Sequence, residues 1–234
     1  MRIAFKAFAA LIVGLIAYLL LWPTTASPIA WNAPSDEGYT GDFKPNDRLT
    51  GLEVIPLGEA IGPEDIVARE EEGELVLYAS SQQGTIWRID PITKGARAFA
   101  ETGGFPLGLA FSADGSLLVA DAYRGLLSVA RGGQVRLLTD SVDGSPIVFA
   151  DDVIEAPNGT IYFTDASTRW GAEAAGSPLR ASREDIFEQS RTGRILSYEP
   201  KTQQSAVFAT GLSFANGIAM ASAGTLWNGC RSRQ

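Results

Sequence analysis

Short apolar runs broken by glycine turns recur from residue 61 onward. Four segments share one order of positions, beginning GPEDIV at Gly62, PLGLAF at Pro106, FADDVIEA at Phe149 and FANGIA at Phe214. Each opens on an apolar pair: Ile66-Val67, Leu109-Ala110, Val153-Ile154 and Ile218-Ala219. A turn glycine follows (Gly73, Gly115, Gly159, Gly224), then a second run: LVLYA, LLVAD, IYFTD and TLW. Another glycine, Gly84, Gly125 or Gly193, precedes TIWRI, LLSVA and RILSY, and ARAFA, VRLLT and SAVFA supply a fourth strand. The turn glycines are 42, 44 and 65 residues apart. Period-two and continuous β-branched runs exclude a helical solenoid. Four short strands in each period of about 40–45 residues is the pattern of a β-propeller blade. The predicted fold is therefore all-β, with blades at about 61–104, 105–147 and 148–213 and a stub at 214–234. The long third spacing holds the insertion STRWGAEAAGSPLRASREDIFEQSR. Its ASREDIFEQ portion fits a short helix, and the insertion is expected on one face, near a substrate entrance.

The other long apolar run is N-terminal. Residues 7–22, AFAALIVGLIAYLLLW, carry no charge and follow Arg2 and Lys6. As a helix they span about 24 Å, short of a bilayer core of about 30 Å, and Lys6 can snorkel to add a turn. Residues 1–22 read as a hydrophobic helix and signal anchor; the alternative is a signal peptide cleaved near Thr24-Thr25-Ala26. The basic flank places the remainder on the exported side, periplasmic or extracellular, held to a membrane or secreted if the segment is cleaved. Residues 23–60, rich in Pro, Gly, Asp and Thr, read as linker and domain entry.

Composition removes several chemistries. The chain has 234 residues, no histidine, one cysteine (Cys230) and a formal net charge of -8. A nucleic-acid partner needs a basic footprint and is not expected. Without histidine there is no Ser-His-Asp triad, Cys-His pair or HExxH site, and one cysteine allows no internal disulfide. Catalysis would fall to carboxylates, Lys, Tyr, Ser or a metal held by oxygen.

The slot two residues before each first apolar pair holds Glu64, Leu107, Asp151 and Asn216. In a propeller the first strand of each blade is innermost, so these side chains can meet at one end of the central channel. Two carboxylates and an amide meeting without His or Cys suit a hard cation, calcium first and Mg²⁺ or Mn²⁺ behind it. On this reading Asp151 faces the ion, while Asp152 supports it or caps the neighbouring strand. The competing reading is that such residues bond only to turn backbones, and Leu107 shows that the slot need not be polar.

GPEDIV, PLGLAFSADGSLLVADAYRGLLSV, DDVIEAPNGTIYFTDAS, GRILSYEP and FANGIA, in that order over residues 48–220, resemble the strictosidine synthase-like and gluconolactonase (senescence marker protein) superfamily. The resemblance implies a six-bladed propeller whose metal-dependent members hold a divalent ion, usually calcium, with a Glu, two Asn and an Asp. Glu64 matches the Glu, Asp151 falls on the first Asn and Asn216 matches the second; the closing Asp belongs to a later blade. The implied chemistry is metal-dependent hydrolysis of a small-molecule lactone or ester, with Asp151 and Asp152 as candidate bases. Alternatives are a non-catalytic binding propeller, an inactive fragment, or the amine–aldehyde condensation of the plant alkaloid branch, whose catalytic Glu lies in a later blade. The family pattern is expected to stop after Met220, leaving three blades and a stub, as from a truncated or frameshifted reading frame; a short form that closes its ring by oligomerising is the other explanation.

Overall fold

The computed structural model describes residues 2–22, 27, 30, 32, 35–221 and 226–228. Thr24-Thr25-Ala26, Gly224, Cys230, Arg231 and Arg233 lie outside the described residues. Helix α1 (Arg2–Leu21) opens the chain and is apolar, and from Phe5 to Trp22 every residue but half-buried Ala17 is exposed. Among the described residues, no helix is long and apolar enough to cross a membrane.

The domain is built from repeated antiparallel sheets. The first holds β1 (Pro63–Glu71), β2 (Glu74–Ser81), β3 (Thr85–Asp90) and β4 (Gly95–Glu101). The second holds β5 (Pro106–Phe111), β6 (Leu117–Asp121), β7 (Gly125–Val129) and β8 (Val135–Thr139). A two-residue-per-strand hairpin, β9 (Ser141–Val142) and β10 (Ser145–Pro146), leads into the third sheet: β11 (Ala150–Glu155), β12 (Ile161–Asp165), β13 (Gly193–Glu199) and β14 (Gln204–Leu212). Strand β15 (Ile218–Met220) pairs with β16 (Leu226–Asn228). Each four-stranded sheet is a meander in sequence order, as the repeated run–glycine–run pattern requires. Gly73, Gly115 and Gly159 turn the first strand into the second at φ 85°, 83° and 89°, a region that L side chains rarely adopt.

The sheets pack face to face. Val76, Tyr78 and Ile86 of the first sheet meet Leu109, Leu117, Val119 and Leu127 of the second. Leu118, Ala120 and Leu126 meet Val153, Phe163 and Leu196 of the third. The first strands lie side by side, β1 against β5, β5 against β11 and β11 against β15. They form the inner wall that a propeller places around its channel.

The insertion folds as helix α2 (Pro178–Glu188), capped by Ser177, whose Oγ accepts the Arg180 N–H at 3.2 Å. It joins β12 to β13, so it sits at the end of the sheet where β11 begins. There Ala181 packs with Leu107, Ala122, Phe149, Ala166 and Ala172.

Candidate carboxylate site at the channel mouth

Every first strand of a four-stranded sheet is irregular at the same place. In β1 the register slips between Pro63 and Ile66, in β5 between Pro106 and Leu109, and in β11 between Ala150 and Val153. In each case three steps on one strand oppose two on its neighbour, which is a β-bulge, a device that re-aims side chains. The bulged pairs are Glu64-Asp65, Leu107-Gly108 and Asp151-Asp152. Regular alternation would send the two acids of a pair to opposite faces. Here Glu64, Asp65, Gly108, Asp151, Asp152 and Asn216 line one cavity of about 120 Å³, space for an ion and a few waters.

Within each acid pair the roles divide. Asp65 accepts the Ile66 N–H at Oδ1 and the Leu109 N–H at Oδ2, both at 2.7 Å. Asp152 accepts the Val153 N–H at Oδ1 and the Ile218 N–H at Oδ2, both at 2.8 Å. Their own amides donate to Ser80 Oγ (3.1 Å) and Thr164 Oγ1 (2.9 Å) on the second strands. Each second acid thus latches its blade to the inner strand of the next. The middle unit has Gly108 in this position, and a Cβ there would lie 2.5 Å from Asp152 Oδ1, so glycine lets the third blade approach. With both oxygens of Asp152 engaged, its geometry fits the strand cap rather than a proton acceptor.

The first acids face the cavity. Asp151 is 4 % exposed. Burial, then the charges of Glu64 and Asp152, push its carboxyl well above the ordinary value. Glu64 is exposed as a residue, yet desolvation at the cavity, then the charges of Asp65 and Asp152, push its carboxyl up to about 7. Burial also raises Asp152, against the pull of its two backbone donors. Asn216 completes the lining, whereas Leu107 joins the apolar cluster with Phe149 and Ala122. A buried, unpaired carboxylate is costly, and a second acid with an amide beside it is the setting that a hard cation relieves. Among the described residues, no group of three or more His, Cys, Asp or Glu is placed to hold a metal ion. The donor set here is two carboxylates and an amide.

One pH effect follows. The folded chain binds the Glu64 proton more tightly than the unfolded chain does. Stability from that group is complete below 4.5 and is lost as pH rises through about 7. In metal-free buffer the melting temperature should fall across this window, and less so in Glu64→Gln. Parallel curves for the two proteins would refute the crowding.

Two larger grooves lie at the other end of the sheets. One of about 680 Å³ surrounds Glu71. That acid is already paired with Arg69 at 2.5 Å and Arg88 at 2.8 Å. Burial raises Glu71, but hydrogen bonds from Tyr78, Arg88 and Arg69 outweigh it and bring it down to about 2. An acid held so firmly is framework.

The alignment of slots found Glu64, Asp151 and Asn216 but passed over Asp65, Gly108 and the bulge. It also passed over Asp121 and Asp165, the last residues of LLVAD and IYFTD. Asp121 Oδ1 accepts the Phe105, Tyr123 and Arg124 N–H groups at 2.9–3.1 Å. Asp165 Oδ1 accepts the Phe149 N–H at 2.9 Å, and its Oδ2 pairs with Arg194 at 2.8 Å. The shared strand-end Asp was the available signal.

The chain matches family models at both ends of this domain. Residues 41–89 match "Strictosidine synthase-like, N-terminal" and residues 151–231 match "Strictosidine synthase". The chain belongs to the strictosidine synthase-like superfamily. The second match runs past Met220, so the superfamily pattern does not stop there as the sequence reading expected. Protein strictosidine synthase-like 6 of Arabidopsis thaliana is 34 % identical over 92 % of this chain and 58 % of its own length. The adipocyte plasma membrane-associated protein of Gallus gallus is 30 % identical over 88 % of this chain and 50 % of its own. This superfamily member therefore spans about half the length of the curated relatives it matches. The solved structure of a gluconolactonase from Xanthomonas campestris superposes with a TM-score of 0.57 at 19 % identity, covering 74 % of this chain and 59 % of that one. That likeness supports the β-propeller fold.

Proposed function

We propose that this superfamily member carries the metal-holding part of a divalent-metal-dependent hydrolase of small lactones or esters. The observation that carries the reading is the convergence of Glu64, Asp151 and Asn216 on one small cavity, with Asp151 buried. Glu64, Asp151 and Asn216 would hold the ion, calcium first and Mg²⁺ or Mn²⁺ as alternatives. When bound, such an ion polarises a substrate carbonyl and stabilises the developing oxyanion.

The chain's own groups supply the rest. Asp151, whose side chain lines the cavity, is the candidate group to take a proton from water at the carbonyl. Asp65 and Asp152 keep the inner strands in register, so that Glu64 and Asn216 reach the same space from different blades. Phe105, Tyr123, Trp170 and Phe214 ring the apolar cluster at the same end, suiting a substrate with an apolar body. Helix α1 is proposed to hold the chain at a membrane with the domain on the exported side, because an apolar helix exposed on all sides has no stable place in water.

The test is turnover of p-nitrophenyl acetate and γ-butyrolactone by the purified chain in detergent. Turnover that EDTA abolishes and calcium restores is expected, with Asp151→Asn lowering it at least about a hundredfold. Calcium-dependent melting without turnover of either compound would replace this reading with a non-catalytic binding propeller.

A further inference from the structure

Helix α2 is amphipathic in an inverted sense. With 3.6 residues per turn, Pro178, Ala181, Asp185 and Glu188 share one face, and that face is buried. The acids on it find donors, although Asp185 Oδ2 has no partner among the described residues. Asp185 Oδ1 accepts from Ser167 Oγ at 2.7 Å and Ser190 Oγ at 3.0 Å. Glu188 accepts from Trp170 Nε1 at 2.5 Å and Arg169 Nε at 2.6 Å. The opposite stripe carries Leu179, Arg180, Arg183, Ile186 and Phe187, all exposed. Leu179 is 61 %, Ile186 49 % and Phe187 73 % exposed. One acid, half-buried Glu184, borders that stripe beside Arg180, and neither arginine forms an ion pair with a described residue. An ordinary surface helix turns its apolar residues to the core and its charges to water; here the apolar and basic residues face out together.

A second observation places the end of α1 near this helix. The Ser27 N–H donates to Glu188 Oε1 at 3.0 Å. Glu188 is 2 % exposed and ends α2. Ser27 comes five residues after Trp22, itself just after α1, so the end of the exposed apolar helix lies within about 18 Å of the last turn of α2. Apolar side chains flanked by arginines complement a lipid surface with anionic headgroups.

We propose that the outward face of α2 is a membrane-docking surface, with Leu179, Ile186 and Phe187 entering the headgroup–acyl boundary and Arg180 and Arg183 meeting anionic headgroups. The inference rests on α1 reaching the same membrane but not on any catalytic activity. The channel mouth then faces the bilayer, since α2 leaves the sheet at the end where Asp151 lies.

The test uses the full chain, with Cys230→Ser removing the native thiol. Phe187→Cys and, separately, Ile92→Cys are labelled with an environment-sensitive fluorophore. Ile92 is a suitable control, being apolar, 85 % exposed and in the β3–β4 turn at the opposite end. Vesicles contain phosphatidylcholine with phosphatidylglycerol, with and without spin-labelled lipid. The expected result is a blue shift and lipid quenching at position 187 but not at 92. Arg180→Glu with Arg183→Glu should reduce both effects at 187. Chain bound to vesicles with position 187 still in water would overturn the docking face while leaving α1 in place. No vesicle binding would remove both readings. A blue shift at 187 without vesicles would assign the face to a protein partner or second copy and overturn the lipid reading.

Discussion

Asp151→Asn is expected to raise the melting temperature in EDTA and to erase the further rise that calcium gives the parent protein. Asp151 is the most deeply buried acid of the cavity, and burial, Glu64 and Asp152 all oppose its charge. Removing that charge without a cation removes an uncompensated cost. With a cation present, the same change removes a ligand. A site filled at a hundred times its Kd stabilises by about 2.7 kcal/mol, about 5–10 °C for a domain of this size. The variant should show almost none of it. The two curves must therefore cross: the variant is the more stable in EDTA and the less stable in saturating calcium. Circular dichroism melts of both proteins in the two buffers measure this directly. An unchanged calcium response in Asp151→Asn would remove the site as drawn, even if the parent protein binds calcium elsewhere.

Arg194→Ala should be the most damaging single change outside the cavity. Arg194 and Asp165 pair at 2.8 Å with side chains 8 % and 0 % exposed. Burial holds Asp165 above its ordinary value even with Arg194 beside it. The guanidinium also donates to Pro146 O at 2.8 Å, fastening the β9–β10 hairpin to the third sheet. Truncating one partner of a buried pair costs about 3–5 kcal/mol, because the other charge is stranded. The expected loss is about 10 °C or more in melting temperature. The double change Asp165→Asn with Arg194→Met should recover part of it. The amide oxygen introduced in place of the Asp165 carboxylate can keep accepting the Phe149 N–H, and no buried charge remains. A loss below about 1 kcal/mol for Arg194→Ala would mean that water reaches Asp165 and that the pair is not the fastening described.

Much of the architecture was present in local sequence, for a physical reason. Strand runs, positive-φ turns and blade length are settled by neighbours in the chain. Gly73, Gly115 and Gly159 mark turns that other residues would strain, and the run after each forms the second strand of its sheet. The slot of Glu64, Asp151 and Asn216 was legible because repetition puts equivalent residues at equivalent places, and a propeller points those places at one axis. The helix in the insertion was legible from its composition. The bulges were not, since a bulge is defined by pairing with another strand, and no local feature of Pro63–Ile66 or Ala150–Val153 announces one.

The division of labour within Asp151-Asp152 was open at the sequence level for the same reason. It depends on the Ile218 N–H arriving from another blade, 66 residues away. The need for glycine at 108 depends on the approach of Asp152. The inverted face of α2 required knowing that Asp185 and Glu188 find buried donors in Ser167, Arg169 and Trp170. By itself the sequence determined the all-β repeat, the absence of histidine chemistry and which residue types could meet at the channel. Only the tertiary structure decided which acid lines the cavity under burial and which is a latch, because that depends on hydrogen bonds and burial contributed by distant segments.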